Sequence, residues 1–342
     1  MLRGAISGFG EVAARAHLAG WRTRPDVQIV AIHDPVAARR HAAINLVKNL
    51  RVYDDLELML DGERLDFVDI ASPPAYHDVA TRAALAAGAN VLVEKPLCLE
   101  RGTFAELRAL AAKSRRVLMC VHNWKHAPAY RRAGELIAAG RLGAVGYVSL
   151  TRLRVGAAGF GGTAAGSGER WRLDERSGGG ILIDHGWHIG YLAQYLMGGA
   201  QPLAVSAKLE RATGGLVEEV ADLRVEFPAG IAYCHLSWQA PVRRTSATIY
   251  GGDGLLEIEE NRLTLTARSG VPEDHSVMDA PDESYHPSWF GAMAAEFERA
   301  IAEGPQGNTA RNNLIEAEAA LDLIVAARES ASRGGAPISL AR

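Results

Sequence analysis

The segment Gly8–Ala13, which reads Gly-Phe-Gly-Glu-Val-Ala, constrains the fold more than any other part of the chain. It fits the pattern Gly-x-Gly-x-x-(Gly/Ala), follows an apolar run at residues 3–7 and precedes a helix-like run that reaches Trp21. In a βαβ unit the first glycine makes a tight turn, the second lets the backbone approach a pyrophosphate, and the helix N-terminus binds that pyrophosphate. The segment therefore predicts a dinucleotide site that uses Gly8, Phe9, Gly10, Glu11 and Val12.

Asp34 is the second residue that indicates a cofactor. It ends the next predicted strand, 26 residues after Gly8, close to the spacing of an acid that binds the adenosine ribose. A carboxylate here accepts hydrogen bonds from both ribose hydroxyls and repels a 2′-phosphate, so the sequence favours NAD over NADP. Two alternatives stay open: Asp34 caps the helix that begins near Pro35, or Arg39 and Arg40 turn back to bind a phosphate.

The remaining pattern divides the chain into two parts. Up to residue 122, apolar runs alternate with helix-like segments, which predicts a doubly wound parallel sheet with helices on both faces. Later strand-like runs follow one another without helices, which predicts a largely antiparallel sheet. The runs lie at 3–7, 27–33, 66–71, 90–93 and 117–122, then at 144–155, 218–227, 231–239, 245–250, 255–259 and 262–266. We expect an α/β fold, with a Rossmann domain at 1–122 and an α+β domain with a mainly antiparallel sheet at 123–342.

Composition and charge exclude several classes of protein. The chain has 342 residues, of which 48% are hydrophobic, enough for two cores, and its net charge of −3 gives no indication of nucleic-acid binding. We find no run of about 18 apolar residues for a membrane span and no leader of signal-peptide type. Cys98, Cys120 and Cys234 show no metal-binding spacing. We expect no metal and a cytoplasmic location that keeps the thiols reduced.

Two short motifs follow predicted strands at their carboxyl ends, where ligands gather in open α/β sheets. Ser72-Pro73-Pro74 follows the run at 66–71, and Glu94-Lys95-Pro96 follows the run at 90–93. A lysine before a proline is kept out of helical backbone, so its side chain is expected to point into the cleft. The alternative is a plain surface charge. We predict cofactor contacts from Ser72, Pro73, His77, Glu94 and Lys95.

A third cluster begins with Gly178-Gly179-Gly180 and continues to His188. Asp184 and His188 are four residues apart, so they share one face of a helix. A carboxylate beside an imidazole can form a general-base pair, although the same spacing also suits a metal pair or a structural contact. No third ligand lies at a useful spacing in the sequence, which argues against a metal.

Taken together, these motifs resemble the Gfo/Idh/MocA family, which includes glucose–fructose oxidoreductase and inositol dehydrogenase. The resemblance covers essentially the whole chain. It rests on Gly8–Ala13, Glu94-Lys95-Pro96, the stretch from Trp171-Arg172 through the glycines to Asp184-x-Gly186-x-His188, and the closing Ser330-Ala331. It implies a Rossmann domain followed by an α/β domain with an open, mainly antiparallel sheet.

The resemblance also implies roles for individual residues. His188 would take the hydroxyl proton, Lys95 would stabilise negative charge on the same oxygen, and Asp184 would position His188 or bind a neighbouring hydroxyl. Glu94 would lie near the nicotinamide ribose. The side chains expected on the substrate side are Asn123, Lys125, Trp171, Arg172, His185 and Tyr191.

Two positions depart from the family pattern. Many relatives carry Asp where Tyr191 stands, and residues 123–126 read Asn-Trp-Lys-His where relatives often read Asn-x-Arg-Phe. Both positions face or adjoin the substrate in relatives, so the particular sugar stays open.

We therefore expect an NAD-dependent dehydrogenase or reductase that acts on a hydroxyl or keto carbon of a sugar, polyol or similar molecule. The alternatives are an NAD-dependent glycosidase of the same fold, without net redox, and a non-enzymatic ligand sensor. We expect Gly156–Gly168 to be a mobile lid and the open sheet face to be covered in a homodimer or homotetramer. His17, on the first helix, is expected at the surface.

Overall fold

The computed structural model describes residues 1–157, 170–279 and 285–340. Contacts divide the chain into two compact units, Met1–Asn123 with Glu283–Glu318, and Trp124–Asp282 with Ala319–Arg342. The sequence placed all of 123–342 in one domain, whereas 283–318 belongs with the first unit. The segment expected to be a lid, Gly156–Gly168, lies outside the described residues from position 158 onward.

The first unit contains a six-stranded parallel sheet. Its strands are β1 (Leu2–Ser7), β2 (Val27–His33), β3 (Arg51–Tyr53), β4 (Phe67–Ile70), β5 (Asn90–Val93) and β6 (Leu118–Cys120). Their order in space is β3-β2-β1-β4-β5-β6, and every neighbouring pair is parallel. This is the doubly wound order of dinucleotide-binding proteins, so the predicted parallel sheet is confirmed. In this sheet β3 was missed, because none of its three residues is fully buried and it forms no apolar run, whereas the equally short β6 is buried throughout.

In the second unit, the described residues form a nine-stranded mixed sheet. Its strands are β7 (Val145–Val155), β8 (Ala204–Arg211), β9 (Glu218–Phe227), β10 (Gly230–Ser237), β11 (Gln239–Gly251), β12 (Gly254–Glu259), β13 (Arg262–Ala267), β14 (Pro272–Asp274) and β15 (Ile338–Ser339). The order is β14-β13-β12-β11-β7-β10-β9-β8-β15. Strands β7 and β10 pair in parallel, and the other neighbours are antiparallel. The prediction of a mainly antiparallel second sheet is confirmed.

The helices fall between and after these strands. They are α1 (Leu18–Trp21), α2 (Ala37–Leu46), α3 (Leu56–Gly62), α4 (His77–Ala86), α5 (Arg101–Ser114), α6 (Pro128–Ala138), α7 (Trp187–Leu196), α8 (Pro287–Glu303) and α9 (Asn308–Ser332). A π-helical turn precedes α1 at Ala13–His17, and another precedes α7 at Leu182–Gly186. Such turns are rare in proteins, and those that occur often lie at functional sites.

Helix α8 belongs to the first unit because it completes that unit's apolar core. Phe290 and Phe297 are fully buried there, with ring centroids 5.7 and 6.3 Å from Trp21. Asn313 of α9 extends the contact, since its side chain accepts from the N–H of Cys120 at 2.7 Å and donates to the carbonyl of Cys120 at 2.9 Å. It thereby satisfies backbone groups of edge strand β6, as a further strand would. These contacts join residues far apart in sequence, which no local pattern predicts.

Candidate active site

The loop after β1 forms a cradle that excludes side chains. Gly8 has φ of +88°, and a Cβ there would lie 2.5 Å from the backbone nitrogen of Ser72, so only glycine fits this approach of β1 to β4. A Cβ on Gly10 would meet no described atom within 4 Å, so open space lies in front of that residue. The hydroxyl of Ser72 is buried and has no hydrogen-bond partner among the described residues. An open glycine backbone beside an unsatisfied hydroxyl suits a polar ligand.

The other predicted residues of this loop differ in exposure. Phe9 and Ala13 are buried, Val12 and Pro73 are half-buried, and Glu11 is exposed and pairs with Arg15 at 2.8 Å. Within this set, the backbone N–H of Phe9 donates a hydrogen bond to Asp34.

Asp34 is 1% exposed at the end of β2. Its Oδ2 accepts from the N–H of Phe9 at 2.7 Å, and its Oδ1 accepts from the N–H of Val36 at 2.8 Å. Arg39 Nη1 lies 3.4 Å from Oδ2. Asp34 therefore ties the glycine loop to Val36, the residue before α2, but it is not the cap of that helix, whose N-cap position has no side-chain hydrogen bond. A carboxylate has about four acceptor sites, so it keeps capacity for a ribose hydroxyl, and the cradle and this carboxylate together fit NAD.

His17 lies beneath the loop between two carboxylates. It is 1% exposed, so the expectation that it lies at the surface is wrong. Its Nδ1 is 2.9 Å from Asp69 Oδ2, its Nε2 is 3.1 Å from Glu94 Oε1, and its ring stacks on Phe290 at 3.9 Å. Trp21 donates its indole N–H to the same Asp69 oxygen at 2.7 Å. His17 is the last residue of the π-helical turn at Ala13–His17.

The charges of this group settle its protonation. Burial by itself would lower the pKa of His17, but the negative charge of Asp69 and hydrogen bonds to Asp69 and Glu94 outweigh it and raise the pKa to about 9. Burial by itself would raise the pKa of Glu94, but the hydrogen bond and charge of His17, with Lys95, lower it. At neutral pH the group is an imidazolium held between two carboxylates.

Glu94 and Lys95 form the loop after β5. Glu94 Oε2 accepts from the N–H of Lys95 at 2.9 Å, and the Lys95–Pro96 peptide bond is cis. His77 is fully buried below this loop, with Nδ1 2.6 Å from the carbonyl oxygen of Pro96 and Nε2 2.7 Å from that of Ser72. Burial lowers the pKa of His77. Both ring nitrogens face protein carbonyls, so His77 holds two loops together and does not present a polar group to a cofactor as expected.

In the second unit, the glycine run brings one chain segment against another. Gly180 has φ of +103°, and a Cβ on it would lie 2.5 Å from the carboxylate of Glu218. Glu218 in turn accepts from Arg328 at 2.8 Å. A Cβ on Gly179 would lie 2.5 Å from the carbonyl oxygen of Arg172. Because these glycines have no side chains, the turn at 170–173 can lie directly against the chain segment that leads to Asp184.

His188 is held in a layered arrangement of rings. Its Nδ1 is 2.7 Å from the hydroxyl of Tyr191, and the same hydroxyl accepts from the backbone N–H of Trp124 at 3.0 Å. The indole of Trp124 stacks on the imidazole with centroids 4.4 Å apart and planes 13° apart. Tyr191 is 1% exposed, so it supports His188 from below rather than facing substrate as expected.

Asp184 lies in the π-helical turn that precedes α7. Arg172 Nε donates to its Oδ2 at 3.0 Å, and His185 Nε2 lies 3.6 Å from the same oxygen. The guanidinium of Arg172 also stacks on Trp171, 4.5 Å from the ring centroid. The structure therefore brings together the predicted Trp171, Arg172, Asp184 and His185. Because the turn is π-helical, the regular helical spacing assumed for Asp184 and His188 does not apply.

Two further predicted residues, Asn123 and Lys125, lie in the turn Asn123–His126. Asn123 is half-buried, and its Oδ1 has no hydrogen-bond partner among the described residues. Lys125 is half-buried in the same turn.

Two arginines of β7 that belong to no predicted motif also lie near this group. Arg152 is 6% exposed, and its guanidinium lies 4.4 Å from the ring centroid of Trp124. Arg154 is half-buried on the same strand. Both share the face of β7 that buries Val148 and Leu150, because side chains alternate along a strand. That alternation, applied to arginines as well as to apolar residues, would have found them.

Comparison with known proteins identifies the family. Residues 2–122 match the model described as an oxidoreductase family with an NAD-binding Rossmann fold, and residues 130–257 match the GFO/IDH/MocA C-terminal domain. D-apiose dehydrogenase of Paraburkholderia graminis is 30% identical over 281 residues, which cover 79% of this chain and 71% of that protein. The chain belongs to the Gfo/Idh/MocA oxidoreductase family.

Other known proteins are similar over different lengths. D-glucoside 3-dehydrogenase of Escherichia coli is 33% identical over 199 residues, 58% of this chain, and the match spans about half (54%) of that relative's length. The solved structure of levoglucosan dehydrogenase in complex with NADH superposes with a TM-score of 0.84 at 19% identity, covering 100% of this chain and 99% of the other. At that identity the likeness shows the fold alone.

Within the described residues, no helix is long and apolar enough to cross a membrane. No group of three or more His, Cys, Asp or Glu side chains in the same part of the chain is arranged to hold a metal ion.

Proposed function

We propose that this member of the Gfo/Idh/MocA family is an NAD-dependent dehydrogenase or reductase that acts on a CH–OH group of a sugar, polyol or similar molecule. The observation that carries the proposal is the hydroxyl of Tyr191 at 2.7 Å from Nδ1 of His188. A proton-transfer imidazole needs one nitrogen fixed by the protein so that the other faces its task. The sugar dehydrogenases among the relatives support the substrate class.

The proposed assignment puts a hydrogen on Nδ1 of His188. The oxygen of Tyr191 has two lone pairs; one accepts from the N–H of Trp124, and the other accepts from Nδ1–H. Nε2 is then the nitrogen that takes the hydroxyl proton during oxidation and returns it during reduction. The stacked indole of Trp124 keeps the ring plane fixed.

Lys95 and Asp184 complete the proposed catalytic set. The Lys95 ammonium would stabilise negative charge on the substrate oxygen as the proton leaves, and its backbone is held by Glu94. Asp184, neutralised by Arg172, would accept a hydrogen bond from a neighbouring substrate hydroxyl. The chemistry that bound NAD supplies is acceptance of a hydride at the nicotinamide.

We also propose that NAD is preferred to NADP, because the buried carboxylate of Asp34 would repel a 2′-phosphate. Arg39, 3.4 Å from that carboxylate, is already paired with it. Binding titrations should show at least about tenfold tighter binding of NAD, or about 1.4 kcal/mol. Equal or tighter binding of NADP would contradict this choice.

Location and assembly follow as further proposals. Three buried free thiols suit a reducing, cytoplasmic compartment. We propose that the second unit binds substrate and forms a homodimer or homotetramer through its sheet, on which Tyr233 and Tyr250 are each more than 40% exposed. Light scattering that finds only monomer at micromolar concentration would contradict the assembly.

The test of the main proposal is a turnover screen. The purified protein is mixed with NAD and a panel of polyols and aldoses, or with NADH and the corresponding keto compounds, and NADH absorbance is followed. Net NADH formation supports a dehydrogenase, whereas release of an alcohol without net NADH indicates a glycosidase. Absence of turnover across the panel, despite NAD binding, favours a ligand sensor and contradicts the proposal.

The same assay tests His188. The rate of oxidation should increase with pH, because the base must be neutral, and the rate of reduction should decrease with pH. His188→Asn should lower turnover by about 10²–10⁴-fold and abolish this pH dependence. His235→Asn is the matched control, since His235 is exposed on β10 and pairs with Asp222 at 2.6 Å. If the His188→Asn enzyme keeps the pH dependence, another group, such as Lys95, is the general base.

A further inference from the structure

The face of β7 that buries Val148 and Leu150 also carries the guanidinium of Arg154. Both terminal nitrogens of Arg154 are buried, and neither has a hydrogen-bond partner among the described residues. A guanidinium is protonated at neutral pH and presents five donors in a fixed fork. Buried polar groups without partners are uncommon in folded proteins, and each one calls for a specific explanation.

The surrounding charges do not neutralise Arg154. Burial and the positive charge of Arg243 lower the pKa of Arg154 to about 9, against the attraction of Glu260 and Asp184. The two carboxylates already have other partners: Asp184 accepts from Arg172 at 3.0 Å, and Glu260 accepts from the N–H of Thr245 at 2.9 Å. At neutral pH Arg154 therefore keeps its charge, and no carboxylate in the described part of the chain forms a contact ion pair with it.

Arg152 adds a second positive charge on the same face. It donates to the hydroxyl of Thr245, while its Nε is buried without a hydrogen-bond partner among the described residues. Its guanidinium lies 4.4 Å from the ring centroid of Trp124, and that ring stacks on His188. The ring of Trp124 therefore lies between the guanidinium of Arg152 and the imidazole of His188, the proposed proton-transfer group.

A carboxylate or phosphate is the group that this arrangement lacks. Such groups match the guanidinium fork with two parallel hydrogen bonds. We propose that Arg154, assisted by Arg152, binds an anionic group of the substrate, so that the substrate class is a sugar acid or a sugar phosphate. The role of the site in substrate selection rests on the proposed function, whereas anion binding itself does not.

Matched pairs of neutral and acidic sugars test the binding. The probes are D-glucose against D-glucuronate, D-galactose against D-galacturonate, and D-glucose against glucose 6-phosphate, at equal ionic strength, with the thermal unfolding midpoint as readout. At least one acidic sugar should bind more tightly than its neutral partner, by about 10–100-fold, the range of a charge-assisted hydrogen-bond pair. The carboxylate and phosphate arms show which anion the site takes.

Arg154→Met should abolish that preference while leaving the response to neutral sugars unchanged. Arg244→Met is the matched control, because it removes the same charge from an exposed pair with Glu259 on the same sheet. If no acidic sugar is preferred, or if Arg154→Met retains the preference, the proposal is overturned.

The thermal stability of the Arg154 variants without ligand tests whether Arg154 has a structural role. Removing an unpartnered buried charge should leave the unfolding midpoint unchanged or raise it, and Arg154→Gln, which retains hydrogen-bonding groups, should behave in the same way. A lowered midpoint in both variants would make Arg154 a structural residue and overturn the proposal.

Turnover separates this inference from the proposed function. Equal turnover of neutral and acidic sugars, unaffected by Arg154→Met, would leave the dehydrogenase standing and overturn the anion site. An acid-specific shift that Arg154→Met removes, without turnover of any sugar, would support the anion site and contradict the proposed function.

Discussion

Replacing His17 with glutamine should remove a pH-dependent contribution to the stability of the first unit. In the native chain the imidazolium lies between Asp69 and Glu94, 2.9 and 3.1 Å from their oxygens. Its pKa rises from 6.5 to about 9 on folding. A shift of that size corresponds to about 3 kcal/mol of differential stabilisation of the protonated form.

The pH window follows from the direction of this shift. A group whose pKa is higher in the folded state binds its proton more tightly there, so its contribution is complete below the unfolded pKa of 6.5. The contribution is lost as pH rises through about 9. The free energy of unfolding of the native chain should therefore fall by roughly 2–3 kcal/mol between about pH 7 and pH 10 from this group alone.

Glutamine keeps a hydrogen-bond donor but carries no charge. Asp69 then retains the indole N–H of Trp21 at 2.7 Å but loses its counter-charge. Breaking a buried ion pair from one side costs about 3–5 kcal/mol, so His17→Gln should be less stable by about that amount near pH 6. The two stability curves should converge as the pH rises towards 10.

Urea unfolding, followed by circular dichroism at a series of pH values, measures both quantities. The difference between the native and His17→Gln curves isolates this group from every other group of the chain, because all other groups are the same in both proteins. His235→Gln serves as the control, because that histidine is exposed and pairs with an exposed Asp222. Curves for the native chain and His17→Gln that stay parallel across the range would refute the reasoning.

Three other changes test separate parts of the site. Lys95→Ala should lower turnover by on the order of 10²-fold, like the loss of one preorganised donor, with little change in NAD affinity measured by titration, and near-native turnover would remove Lys95 from the mechanism. Tyr191→Phe should lower turnover about tenfold and destabilise the fold by about 1–3 kcal/mol, because the N–H of Trp124 loses its acceptor; an unchanged pH–rate profile and thermal midpoint would contradict that role. Gly8→Ala should unfold at clearly lower urea, since its φ is +88° and its Cβ would overlap the backbone of the β4 loop, whereas Gly10→Ala, which meets nothing within 4 Å, should keep its stability and lose NAD affinity. The reverse ranking of these two glycine variants would contradict the cradle.

Local patterns in the sequence were sufficient for the fold class and for the family. Continuous apolar runs predicted the strands of the parallel sheet, since doubly covered strands are apolar on both faces. Glycine positions predicted the turn after β1, because the φ of Gly8 is a property of the local chain. Both kinds of signal are carried by residues close together in sequence.

The partners of buried polar groups were decided only by the tertiary structure. His17 is buried because Asp69, Glu94 and Phe290, which are 52 to 273 residues away, enclose it and supply its counter-charges. Tyr191 turned from an expected substrate contact into the support of His188 for the same reason, since the N–H of Trp124 reaches it across 67 residues. A helical or strand period states which face a residue occupies, but burial of a charged or polar group depends on complementary groups brought to that face by folding.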